Sequence, residues 1–159
     1  MVGAITYLHG RQDVDSHRLG IWGASYGGLM TALGLARASD ALAAGVDYAG
    51  IYNWSTFLSS VGEPIDRGDA NRRAAESSPI ATIDQWHSFV LLGHADDDRD
   101  VPQTTELIED LRSRNIDQDV IMIPNEIHDT ARYSSWMILF NAADVYFDRH
   151  LEKRGGPTP

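Results

Sequence analysis

The stretch Leu19-Gly20-Ile21-Trp22-Gly23-Ala24-Ser25-Tyr26-Gly27-Gly28 leaves this chain few folds to choose from. Leu19 to Trp22 is too short for a helix and apolar enough for a brief buried strand. The apolar-periodic run Leu29 to Ala36 reads as a helix. Between them lies a serine in the pattern Gly-x-Ser-x-Gly. A strand that turns at once into a helix puts Ser25 at its apex, the arrangement of a nucleophile elbow. Such a turn holds its serine in a strained backbone conformation, so Gly23 and Gly27 are both expected to serve by lacking bulk. Gly28 lets the helix start close to the sheet. The backbone N–H of Tyr26 falls at a helix N-terminus, where a developing oxyanion is stabilised. Taken alone, the pattern also fits a glycine-rich turn with an ordinary surface serine, so partners downstream must decide.

The remainder of the chain alternates short strands with helices. Strands are expected over Ala43–Tyr48, Phe89–Leu92 and Val120–Ile123, the last stopped by Pro124. Helices are expected over Tyr26–Arg37, Gln103–Arg114 and Tyr133–Leu151, with a two-turn helical end over Val2–Leu8. That first helix starts at Met1 without a cap, as in a chain entered midway. Gly50 to Pro64 is rich in aromatics, Asp66 to Ala75 is polar, and the tail Gly155–Pro159 reads as frayed. This order gives an α/β fold with a mostly parallel sheet flanked by helices, one domain over 1–152 and a flexible tail over 153–159.

Parallel sheets place their ligands beyond the carboxyl ends of the strands. The first strand leads into Ser25. The third leads into Gly93-His94-Ala95-Asp96-Asp97-Asp98-Arg99-Asp100, and the fourth into Asn125-Glu126-Ile127-His128-Asp129. Serine, aspartate, histidine is the chain order of the α/β-hydrolase triad, although four aspartates compete for the middle place.

Composition removes other classes. Net charge is −10, from 13 basic and 23 acidic residues, which argues against a nucleic-acid partner or an anionic membrane surface. No run approaches the length of a membrane span. With no cysteine, disulfides, thiol catalysis and zinc–thiolate sites are excluded. The compartment stays open, with the cytoplasm as default. The aspartate-rich loop lacks the glycine and terminal glutamate of an EF-hand, so no metal and no cofactor are expected.

From about residue 10 to the end of the last helix, the chain resembles the catalytic domain of the prolyl oligopeptidase family, in its dipeptidyl peptidase and acylaminoacyl peptidase branch. The matching stretches are Asp13-Val14-Asp15 through Gly28, Ala44-Gly45-Val46, Ser78-Pro79, Leu91-Leu92 through Val101, and Glu126-Ile127-His128-Asp129. The resemblance implies an α/β-hydrolase fold truncated at its N-terminus. It implies Ser25 as nucleophile, His128 as general base and Asp98 as the acid, by a gapless match on the two leucines and Val101. Asp97 is the alternative. It implies a substrate pocket formed by Tyr26, Ile51, Trp54, Phe57 and Val61, of which all but Tyr26 could equally be core beneath a loop. His94 matches a position near the site and is read as structural, as are His9, His17, His87 and His150.

The resemblance also implies upstream strands carrying a second oxyanion donor, whose loss would cost on the order of 10² to 10³ in turnover. Without an upstream neighbour the strand Leu19–Trp22 becomes an exposed edge, so a homo-oligomer, or membership of a longer chain, is expected. Two functions follow. One is a serine hydrolase acting on small esters or short peptides through an acyl-enzyme on Ser25. The other is a catalytically weak or inactive fragment acting in assembly or binding. A lipase-like esterase of another branch fits the Asp and His loops poorly.

Overall fold

Four parallel strands carry the structure, which is a computed structural model describing residues 1–62 and 68–152. Pro64, Asp66 and the tail 153–159, on which expectations were placed above, lie outside the described residues. The strands β1 (Gly20–Ala24), β2 (Ala44–Tyr48), β3 (Phe89–Ala95) and β4 (Gln118–Ile123) lie in the order β1-β2-β3-β4. The helices are α1 (Val2–His9), α2 (Tyr26–Arg37), α3 (Trp54–Ser60), α4 (Asp69–Ser77), α5 (Val101–Ser113) and α6 (Tyr133–Leu151).

Side chains alternate across a strand, and here both faces are covered. Val90 and Leu92 join Ala32, Leu35, Leu107 and Leu111 in the core under α2 and α5, with Ile5 and Leu8 of α1 packed against it. Ala44, Val46 and Leu91 face the other way, onto Ala143 and Tyr146 of α6. Gly45 turns toward α2, where an added Cβ would stand 2.5 Å from a methyl carbon of Leu35. By the same parity Asp47 belongs to the α2 face.

The elements depart from expectation mainly at their ends. β1 continues past Trp22 because Gly23 and Ala24 pair with Asp47 and Tyr48. β3 runs on to Ala95, opposite Ile123. The aromatic stretch contains a helix, α3, capped by Asn53, whose side chain accepts from the N–H groups of Ser55 and Thr56. The polar stretch is helical over Asp69–Ser77, and α5 begins at Val101, with Pro102 in its first turn where the missing N–H costs nothing. Among the described residues β1 pairs with β2 alone and forms one edge of the sheet.

The elbow glycines divide unlike the expectation. A Cβ on Gly23 would lie 2.1 Å from the carbonyl oxygen of Gly27, so Gly23 is needed for close approach. A Cβ on Gly27 would meet nothing within 4 Å. The crowding runs from position 23 onto the backbone of 27, not the reverse. Gly28 is confined, with a Cβ there 2.5 Å from Asp47 Oδ1 and 2.8 Å from Gly50 Cα. Gly28→Ala is therefore expected to destabilise the fold by about 1–3 kcal/mol, as overpacking does, while Gly27→Ala leaves stability near wild type. Urea denaturation of the two variants checks the contrast.

Candidate active site

Ser25 sits between β1 and α2 with φ 56° and ψ −116°, in the positive-φ region that a serine rarely occupies. The strain is held by its surroundings. Its N–H donates to Tyr48 O at 2.8 Å, and its carbonyl accepts from Leu29 N–H at 3.0 Å. Ser25 is the N-cap residue of α2, yet its side chain makes no capping bond. Its Oγ lies 2.8 Å from His128 Nε2 instead. Tyr26 opens α2, so its N–H is one of the helix groups without an intrahelical acceptor.

His128 is carried by the loop after β4. Its Nδ1 lies 2.7 Å from Asp98 Oδ2, on the loop after β3. Of the four aspartates in that loop, Asp98 is the one bonded to His128. Asp97 is exposed, and its N–H donates to Glu126 O, tying the two loops together. Asp98 is buried at 6% exposure, while Ser25 is exposed at the rim. Burial pushes the Asp98 carboxyl up. The Asp100 N–H on its Oδ1 at 2.9 Å, the His128 bond and the nearby imidazoles outweigh that, and its pKa ends below the usual carboxylate value. Asp98, Asp100 and His128 bring ligand-type atoms within 4.8 Å of one another, and two of the three, Asp98 and His128, are hydrogen-bonded to each other.

Sequence reasoning assigned no role to Glu126, which organises the histidine loop. Its carboxylate accepts from the N–H groups of Ala131 and Arg132, from Arg132 Nε at 2.7 Å and from Ser135 Oγ at 2.7 Å. The Ser135 hydroxyl, then the Arg132 guanidinium, hold its pKa at about 2. The clamp fastens the loop bearing His128 to the start of α6. Its stabilising effect is full above an ordinary carboxyl pKa and is lost as pH falls toward about 2. A glutamate two residues before the histidine and nine before Ser135 gives no local pattern by which to find it.

A cavity of about 520 Å³ opens beside Ser25. Tyr26, Leu29, Ile51, Trp54, Phe57 and Ile127 supply its apolar wall, and Asp97, Arg99, Asp100 and Asp129 its charged mouth. Trp54 and Phe57 meet edge to face at 5.5 Å between centroids. Val61, expected at this wall, does not line the cavity; it follows the end of α3, a full turn or about 5.4 Å beyond Phe57. Leu29, Ile127 and Arg99 were not foreseen.

His94 is near the site, as expected, but its contacts are specific. Fully buried, it places Nε2 2.9 Å from the same Asp98 Oδ2 that meets His128, and Nδ1 2.6 Å from Thr104 Oγ1. Burial, outweighing the attraction of Asp98, lowers its pKa and favours the neutral ring.

A family model described as "Prolyl oligopeptidase family" matches residues 1–154. Dipeptidyl aminopeptidase BIII of Pseudoxanthomonas mexicana is 32% identical over 150 residues, covering 83% of this chain and 22% of that protein. Dipeptidyl peptidase 4 of Sus scrofa is 28% identical over 125 residues, covering 74% of this chain and 16% of that protein. The chain thus spans about a fifth of the length of these relatives. Among solved structures, an acylaminoacyl peptidase of Pyrococcus horikoshii superposes with TM-score 0.81 at 23% identity, over 99% of this chain and 28% of that one. Porphyromonas gingivalis dipeptidyl peptidase 4 superposes with TM-score 0.79 at 22% identity, over 94% and 22%. The fold they share with this chain is the α/β-hydrolase fold.

Proposed function

The chain belongs to the prolyl oligopeptidase family, and from that premise we propose that it is the part of a serine peptidase that carries the catalytic triad Ser25, Asp98 and His128. The observation that supports this most is the unbroken line Ser25 Oγ–His128 Nε2–His128 Nδ1–Asp98 Oδ2, at 2.8 and 2.7 Å, beside an apolar cavity. In the reaction, Ser25 Oγ attacks the acyl carbonyl while His128 Nε2 takes its proton. Charge gathers on the carbonyl oxygen, beside the Tyr26 N–H. His128 then gives the proton to the departing amine or alcohol, leaving an acyl group on Ser25. Water, activated by the same imidazole, releases it. The wall of Tyr26, Ile51, Trp54 and Phe57 suits an apolar side chain on the acyl side of a short peptide or small ester.

A second reading, a weakly active or inactive unit serving assembly, draws support from β1. The strand lies at the sheet edge with Trp22 37% exposed, so pairing with another strand, of a second copy or of a longer chain, belongs to this proposal. One experiment separates the readings. The protein, with its native mass measured, is treated with a fluorophosphonate and the adduct mapped by peptide mass. An adduct on Ser25 supports the hydrolase; no adduct leaves the second reading. A monomeric mass at micromolar concentration would count against association.

A further inference from the structure

Behind the triad, a file of buried polar groups runs into the core. Asp98 Oδ2 meets His94 Nε2 at 2.9 Å, and His94 Nδ1 meets Thr104 Oγ1 at 2.6 Å. Farther in, the Tyr52 hydroxyl donates to Asp47 Oδ1 at 3.0 Å. His94, Thr104, Tyr52 and Asp47 are all 2% exposed or less. Asp47 projects to the α2 face of β2, its other oxygen, Oδ2, having no partner among the described residues.

A carboxylate can only accept, and a neutral imidazole donates from one nitrogen and accepts at the other, so the contacts at His94 have a direction. Asp98, held as a carboxylate, can only accept, which requires the proton of a neutral His94 on Nε2. His94 Nδ1 must then accept, and Thr104 must donate to it. Were Nδ1 to carry the proton and donate to Thr104 instead, His94 would have to become a cation or face Asp98 with a bare nitrogen.

We propose that His94 is a positioning residue for Asp98, held as its Nε2–H tautomer between the Asp98 carboxylate and the Thr104 hydroxyl. The brace presents Asp98 Oδ2 to His128 with one geometry and steadies its negative charge. It rests on the triad reading only for its consequence in rate; the tautomer is a property of the fold. One further observation agrees. The charged or titratable groups acting on His94 are Asp98, Asp100 and His128; burial, together with His128, outweighs the two carboxylates and keeps the ring neutral.

The test is nitrogen-15 histidine NMR at about pH 6, together with the rate of fluorophosphonate labelling. His94 is expected as the Nε2–H tautomer. Thr104→Val should mix its tautomers, shift the low-field Nδ1–H proton of His128 and slow labelling about tenfold, the size of losing one hydrogen bond's worth of orientation. Thr104→Ser should restore all three. Thr104→Ala is a second variant that removes the same hydroxyl with a different change of volume. An Nδ1–H tautomer in the wild type would overturn the proposal, as would a Thr104→Val protein whose His128 proton and labelling rate are unchanged. Should the wild type show the expected tautomer and variant shifts but never label, the brace stands and the peptidase reading falls.

Discussion

Asp98→Asn is expected to slow acylation of Ser25 by on the order of 10⁴, the loss seen when the same exchange is made in a chymotrypsin-type triad. Both Asp98 oxygens are occupied as acceptors: Oδ1 by the Asp100 N–H, and Oδ2 by His94 and His128. Asparagine replaces one acceptor with an NH₂ group. In one orientation that group opposes the Asp100 N–H. In the other it faces two imidazole nitrogens, and His128 answers by moving its proton from Nδ1 to Nε2. An Nε2 that already holds a proton cannot take one from Ser25. Asp97→Asn is the control, because Asp97 is exposed and makes its loop contact through its backbone. Labelling rates of the two variants decide between the neighbours. Loss at position 97 with retention at 98 would reverse the assignment.

That contrast shows what local pattern can and cannot yield. Ser25, Asp98 and His128 stand just after three strands of a parallel sheet, so element order alone brings them to one rim. The choice among Asp96, Asp97, Asp98 and Asp100 came from resemblance, and nothing in their spacing shows that Asp98 turns inward. The strand ends were lost for another reason. Gly93 and His94 do not look like strand, but the ladder to β4 pairs them with Ile121 and Met122. The wall of the cavity was half legible: Trp54 and Phe57 lie three apart on one helix, whereas Leu29 and Ile127 come from elements that meet only in the fold. The Gly27 expectation failed because a motif states which residues recur, not which of a crowded pair would carry the clash. Asp47 did give a signal. An acid inside the apolar run Ala43–Tyr48 breaks the pattern of a strand buried on both faces, and such breaks occur where a fold is serving something besides stability.

Asp47 also makes stability depend on pH in the direction opposite to ordinary acid unfolding. The unfolded chain gives up this proton near 3.8, while the folded chain keeps it to about 7. Between those values the native state binds more protons, so its stability falls as pH rises. At 1.36 kcal/mol per pKa unit, the contribution present below pH 4 and gone above pH 7 is about 4 kcal/mol. The cause is burial with no partner on Oδ2, which leaves an ionised carboxylate with an unmade bond inside the core. Asp47→Asn copies the neutral shape and cannot ionise. The variant should be close to wild type in urea at about pH 4.5 and more stable by several kcal/mol at about pH 8. Glu126 works in the opposite sense, losing its effect as pH falls toward about 2, but it does so in both proteins and cancels from their difference. A difference that stays constant from pH 4.5 to about 8 would mean that Asp47 enters the fold already charged.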